Sequence, residues 1–135
     1  MVLSIGSNFG NKRKSVSDAI AWLESLLESP HASSIYETPE IYGRTENYMN
    51  AVVTAATAMD YEGLNAALKR YETSHGRTPM RRERGEVPVD IDIVVWDDEV
   101  IRPRDFNHSF FQIGYREVAA EERAVSHNCC QTSGR

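Results

Sequence analysis

Apolar positions along the first hundred residues keep two rhythms, one of period two and one of period 3.6. Val2 to Ile5 is a short apolar run closed by Gly6-Ser7-Asn8, which predicts a strand feeding a turn. From Val16 the period lengthens. Val16, Ala19, Ile20, Leu23, Leu26 and Leu27 mark one face of an amphipathic helix, which Ser29-Pro30 is expected to stop. Ser33 to Thr38 reads as a strand running into Pro39, and Pro39 to Asn47 as a long polar loop. Tyr48 to Met59, small and β-branched, predicts a strand pairing back across that loop. Asp60 is a plausible N-cap for a second helix carrying Leu64, Ala67, Leu68 and Tyr71, with Gly76 placed to end it. Arg77 to Pro88 is expected to be irregular, broken by Pro79, Gly85 and Pro88. Asp90 to Trp96 is the most strand-like segment of all.

The order strand, helix, strand, strand, helix, strand predicts an α+β, ferredoxin-like (βαββαβ) fold. Its antiparallel sheet has both helices packed on one face, which leaves the other face free. Residues 1–120 read as one domain and 121–135 as a polar tail, with no internal repeat or low-complexity linker.

Composition narrows the class. At 135 residues with 41% hydrophobic and 26% charged positions, the chain suits one globular domain. No apolar run approaches the ~20 residues of a membrane span, and the start lacks a signal peptide's basic and apolar regions. A soluble, cytoplasmic protein without membrane partners is expected. A net charge of −5 argues against sequence-independent nucleic-acid binding. The adjacent Cys129 and Cys130 close no loop across a fold, which fits a reducing compartment. With His127 they form one local cluster, whereas structural zinc sites draw four ligands from two segments.

Three sets of residues could carry chemistry. Asp90 and Asp92, two apart in a strand, share a face and repel unless a cation sits between them. Such oxygens suit magnesium, although two aspartates at a solvent-facing strand end need no ligand. The loop before them holds Arg77, Arg81, Arg82 and Arg84, which either fork onto phosphates or pair with Glu83 and Glu86 in solvent. Tyr48 and Asn50 share a face, the aromatic-plus-amide set that holds a flat heteroaromatic ring, or else core packing. His108 lies near Arg102 and Arg104. No Walker-type Gly-rich phosphate cradle occurs.

Taken together, these segments resemble the 6-hydroxymethyl-7,8-dihydropterin pyrophosphokinase family of folate biosynthesis. The resemblance rests on Ile5-Gly6-Ser7-Asn8, Tyr36-Glu37-Thr38-Pro39, Tyr48-Met49-Asn50-Ala51-Val52, Glu72 with Gly76-Arg77, Asp90-Ile91-Asp92-Ile93 and Asp98-Glu99-Val100-Ile101, collinear from Leu3 to about His108. It implies a ferredoxin-like transferase moving pyrophosphate from ATP to the pterin hydroxymethyl group, with release of AMP. Carried over by position, Asp90 and Asp92 would hold two Mg²⁺ ions. Thr38, Pro39, Ile41, Tyr48 and Asn50 would line the pterin pocket. Arg77, Ile93, Arg104 and His108 would contact ATP, with Arg77 also counted beside the aspartates as catalytic.

The chain departs from the family pattern before the aspartates, where Arg84 stands for a tryptophan and Val87 for an arginine. Arg81, Arg82 or Arg84 would have to substitute from the same loop. After His108 only Phe110, Phe111, Tyr115 and Arg116 are candidates for the rest of the site, and the chain is expected to be C-terminally short. A catalytically weakened pterin- or nucleotide-binding paralogue is therefore the second reading. An RNA-binding module is a weaker third, since Asp90 and Asp92 oppose RNA phosphates. The oligomeric state is left open.

Overall fold

Strand β1 (Val2–Ser7) alternates as a strand between two covered faces must. Leu3 and Ile5 are fully buried on one side, while Val2, Ser4 and Gly6 face the other. The same alternation puts Ala51 and Val53 of β4 (Tyr48–Ala56), with Ile91 and Ile93 of β5 (Asp90–Trp96), on the Leu3 side. Asn50, Val52, Asp90, Asp92 and Val94 take the opposite side. The structure, a computed structural model, describes residues 1–43 and 45–133, with side chains described through residue 124. His127, Cys129 and Cys130, the tail cluster, have side chains outside the described residues.

The sheet has six strands, all pairs antiparallel, in the order β2-β4-β1-β5-β6, with β2 spanning Glu28–Ala32 and β6 Glu99–Val100. The short β3 (Tyr36–Thr38) also pairs with β4. Helices α1 (Lys12–Leu26) and α2 (Tyr61–Ser74) lie on the Leu3 side, burying Val16, Ala19 and Leu23, and Leu64, Leu68 and Tyr71. Asn11 and Asp60 cap them, their side chains accepting from the backbone N–H of Lys14 and Gly63. This is the ferredoxin-like order, with both expected helices on one face.

Three features differ from the expectation. Ser29-Pro30 does not merely stop α1; it lies inside edge strand β2, where Ser29 adopts φ +49° and the register shifts between Glu28 and His31. A proline without an N–H is tolerated on an edge. The arginine loop is not wholly irregular either, because it contains α3 (Pro79–Glu83). Thr78 caps that turn, Pro79 occupies a first-turn position where no N–H is needed, and Gly85 at φ +71° ends it.

The third difference decides where a site can be. The second face of the sheet is not free, since α5 (Ser109–Ser133) crosses it after a single turn, α4 (Pro103–Phe106). Phe111 and Val118 are fully buried against Val2, Val52 and Val94, each contributing about 1.5–3 kcal/mol by burial. Polar contacts align the helix. The Tyr36 hydroxyl donates to the Phe110 carbonyl at 2.5 Å, and the Ser34 N–H donates to Glu117 at 2.6 Å. Glu122 accepts from Thr54 at 2.9 Å, and His31 meets Glu121.

Close approach depends on Gly114. A Cβ there would stand 2.7 Å from Val52 Cγ2 and 2.8 Å from the Tyr36 hydroxyl. Gly114→Ala gains about 1 kcal/mol of helix propensity but overpacks the contact by more, and is expected to destabilise by about 1–2 kcal/mol net. Thermal unfolding should show a Tm lower by several degrees, and an unchanged or higher Tm would mean that α5 does not rest on this contact.

Candidate active site

Helix α5 covers only part of the second face. Beyond Phe110 the sheet is open, and a cavity of about 210 Å³ remains between the covered part, Pro39 to Ile41 and α4. Strand register sets its floor. Asn50, Gly6 and Asp90 lie side by side on β4, β1 and β5, and Val52, Ser4 and Asp92 form the next row. Directly opposed residues of antiparallel strands share a face. One sheet surface therefore presents an amide at one end and two carboxylates at the other.

The amide end is built tightly. Asn50, buried, donates its Nδ2 to the Thr38 hydroxyl at 2.7 Å and to the Tyr36 carbonyl at 3.3 Å. The Tyr48 ring lies over Gly6, where a Cβ would come within 3.4 Å of it. Burial, then Asp90 and Glu40, push the Tyr48 hydroxyl above its usual pKa, so it stays protonated. Pro39 and Ile41 line the same cavity, and Ile41 is exposed like a hydrophobic rim awaiting cover.

The carboxylate end is more highly charged than the sequence suggested. Beyond Asp92, the outer edge of β5 pairs only at Val95 and Trp96, so the backbone of Ile91 needs partners from elsewhere. Helix α2 supplies them from its side chains. Glu72, fully buried, accepts the Ile91 N–H at 2.8 Å, and Lys69 donates to the Ile91 carbonyl at 3.1 Å. Lys69 also donates to Glu72 at 3.0 Å and to Asp92 at 3.1 Å. Arg77 bridges Glu72 and Asp90, the latter at 3.3 Å.

The two aspartates do not carry charge equally. Burial and the nearby Asp92 push the Asp90 carboxyl up to about 8, helped by a hydrogen bond between the pair and by Glu72. Burial also opposes charge on Asp92, but that hydrogen bond and the charges of Lys69 and Arg102 hold it below the usual carboxylate range. The pair thus holds a shared proton to higher pH than a lone carboxylate would, with Asp92 the more readily ionised partner. Asp90 has its proton favoured by folding, so its contribution to stability is complete below the unfolded value of 3.8 and is lost as pH rises towards 8. In chelator, the Tm of the wild type is expected to fall from pH 5 to 8.5 relative to that of Asp90→Asn. Parallel profiles would contradict the shared proton.

Such a pair fits a hard divalent ion. Among the described residues no group of three or more His, Cys, Asp or Glu is arranged to hold a metal by itself. Two carboxylates side by side on the cavity floor suit magnesium, which typically takes one or two and completes its shell with water and phosphate oxygens.

Of the residues singled out by sequence, Thr38, Pro39, Ile41, Tyr48 and Asn50 meet Asp90 and Asp92 in this one cavity, and Arg77 lies against Asp90. The Ile93 side chain is in the core on the opposite face, and Arg104 is exposed on α4. His108 stacks on Phe110 with its Nδ1 buried and unpartnered. Phe110 lines the cavity, Phe111 is core, Tyr115 packs beside it, and Arg116 is exposed. In the loop, Arg81 donates to the Gly76 carbonyl at 2.8 Å and lies over the Phe9 ring, while Arg82 and Arg84 are exposed. Val87 is held through its backbone, which exchanges hydrogen bonds with Asn8 at 2.6 and 2.9 Å.

Sequence reasoning missed Lys69, the role of Glu72, and the cavity residues Ser4, Glu40 and Asp105, and it named Gly6 and Arg102 without placing them in the cavity. Glu72 left a trace, because it continues the buried Leu64 and Leu68 row at four-residue spacing.

A sequence model of the 7,8-dihydro-6-hydroxymethylpterin-pyrophosphokinase family matches residues 2–120. A 2-amino-4-hydroxy-6-hydroxymethyldihydropteridine pyrophosphokinase of Aquifex aeolicus is 34% identical over 103 residues, 76% of this chain and 64% of the relative. The mitochondrial folate synthesis bifunctional protein of Pisum sativum is 32% identical over 104 residues, 76% of this chain and 20% of the relative. The folate synthesis bifunctional protein of Arabidopsis thaliana is 25% identical over 113 residues, 78% of this chain and 23% of the relative. The chain thus spans less than two thirds of the length of each.

Proposed function

The chain belongs to the 7,8-dihydro-6-hydroxymethylpterin-pyrophosphokinase family, and from that premise we propose that it transfers pyrophosphate from ATP to 6-hydroxymethyl-7,8-dihydropterin. The row Asn50, Gly6, Asp90 carries the proposal. Its ends lie two strands apart, about 10 Å, which suits a two-ring heterocycle with a one-carbon arm. Asn50 and Thr38 hold the ring's polar edge while Tyr48 supplies a flat wall. The hydroxymethyl arm then points to the aspartate pair.

In the reaction the hydroxymethyl oxygen forms a bond to the β-phosphorus of ATP. The bond from that phosphorus to the α–β bridging oxygen breaks, AMP departs, and the hydroxyl proton is lost to solvent or base. Two Mg²⁺ ions bound with ATP would neutralise the phosphate charge, and Asp90 and Asp92 are the residues that would hold them. The protein's own work is positioning and charge balance, which supply most of the catalysis in phosphoryl-type transfers. Arg77 lies beside Asp90, and the exposed Arg82, Arg84 and Arg104 can approach a triphosphate from α3 and α4. His108, which the resemblance would place on the nucleotide, does not line the cavity, and its buried Nδ1 has no partner among the described residues. We assign no contact to the Ile93 side chain; only its backbone can meet a ligand. The compartment we propose is the cytoplasm, and among the described residues no helix is long and apolar enough to cross a membrane.

AMP formation from Mg-ATP, with and without 6-hydroxymethyl-7,8-dihydropterin, tests the reading. Pterin-dependent AMP is expected. A folded protein that forms none would overturn the transferase reading, and a pterin titration would then show whether a binding protein remains.

A further inference from the structure

Lys69 is a charged group for which the proposed reaction has no use. Its ammonium stands among three carboxylates, 3.0 Å from Glu72, 3.1 Å from Asp92 and 3.9 Å from Asp90, and it donates to the Ile91 carbonyl at 3.1 Å. Four oxygens around one cation resemble the start of a metal's coordination shell. With Lys69 and Arg77 against Glu72, Asp90 and Asp92, the five ionisable groups are one positive charge short of balance when all are ionised. Without Lys69 the shortfall would be two.

We propose that Lys69 is a built-in counter-cation of the aspartate pair, holding Asp92 before a divalent ion arrives and competing with that ion for it. This rests on the reading of Asp90 and Asp92 as the divalent-ion site. The half-exposed Lys69 stem can swing away, whereas Glu72 is fully buried and anchored to the Ile91 N–H. On ion arrival the ammonium therefore leaves Asp92 and keeps Glu72. Lys69 is in this sense a positioning residue. It gives the empty site a defined shape and lowers ion affinity until a nucleotide brings its own phosphate oxygens.

The test is Mn²⁺ binding without nucleotide, read from the electron paramagnetic resonance of free Mn²⁺, on the full chain and on Lys69→Gln, Lys69→Met and Asp92→Asn. Lys69→Gln keeps a donor for the Ile91 carbonyl and removes the charge. It is expected to bind Mn²⁺ about tenfold or more tightly than wild type, the effect of one unit charge about 5 Å from a divalent ion in water-like dielectric. Equal or weaker binding by both Lys69 variants, with Asp92→Asn still abolishing it, overturns the competition and leaves the metal site standing. Failure of every form to bind overturns both readings.

A measurement on the wild type covers a variant that does not fold. The chain has only three lysines, Lys12, Lys14 and Lys69. Mg²⁺ titration followed by lysine side-chain NMR should move the Lys69 signal and leave the other two in place. A stationary Lys69 signal at saturating Mg²⁺ overturns the proposal.

Discussion

Asp92→Ala is expected to reduce Mg²⁺- and pterin-dependent AMP release by on the order of a thousandfold. Asp92 is the group the fold keeps ionised. It sits opposite Ser4 on the cavity floor, takes Lys69 at 3.1 Å, and is held below the usual carboxylate range while Asp90 is pushed up. Removing it deletes the more acidic carboxylate of the pair and leaves Asp90, the more readily protonated partner. The loss should fall on kcat. The pterin-facing groups Asn50 and Tyr48 lie on β4, two strands from β5, and Thr38 on β3, one strand further, and the contacts that hold Asp92 come from Lys69. Pterin affinity, followed by fluorescence titration, should therefore change little. Unchanged turnover would remove the aspartate pair from the chemistry, and loss of pterin binding together with turnover would indicate a collapsed cavity instead.

Much of this arrangement is legible in the sequence alone. Period-two alternation alone places Asp90 and Asp92 on one face with Ile91 and Ile93 on the other, and the same rule pairs Tyr48 with Asn50. It also shows why Ile93, carried over by resemblance, does not turn its side chain to the cavity. Period and spacing could not show which face remained open. Phe111, Tyr115 and Val118 keep a helical spacing, but only their packing on Val2, Val52 and Val94 reveals that α5 closes part of the second face. Lys69 was invisible for a different reason. A lysine on a helix is ordinarily solvated, and this one is drawn in by an unpaired strand edge about twenty residues further along. Local propensity carries no record of such an edge. Pro79 misled in the opposite sense, as a residue read as a breaker began a helix.

Glu72→Ala is expected to be the most destabilising single substitution among the site residues, lowering stability by about 3–5 kcal/mol. Three partners converge on this carboxylate: Arg77, Lys69 at 3.0 Å, and the Ile91 N–H at 2.8 Å. Truncation leaves the N–H of Ile91 buried without an acceptor, costing about 1–3 kcal/mol by itself. It also leaves two cations facing each other across the space of the lost carboxylate. Both cations are part exposed, so water relieves some of their repulsion, and the estimate stays within the range for breaking one buried pair. Glu72→Gln distinguishes the two contributions. Its carbonyl oxygen can still accept from Ile91, so the strand edge is kept while the charge is lost, and a smaller drop in urea midpoint is expected than for alanine. Equal losses for Gln and Ala would mean that charge alone matters; a negligible loss for both would mean that α2 does not hold β5 at this point. Since Ile91 stands between Asp90 and Asp92, any slackening of that edge moves both aspartates. The alanine variant, even where folded at low temperature, should therefore lose ion affinity as well as stability.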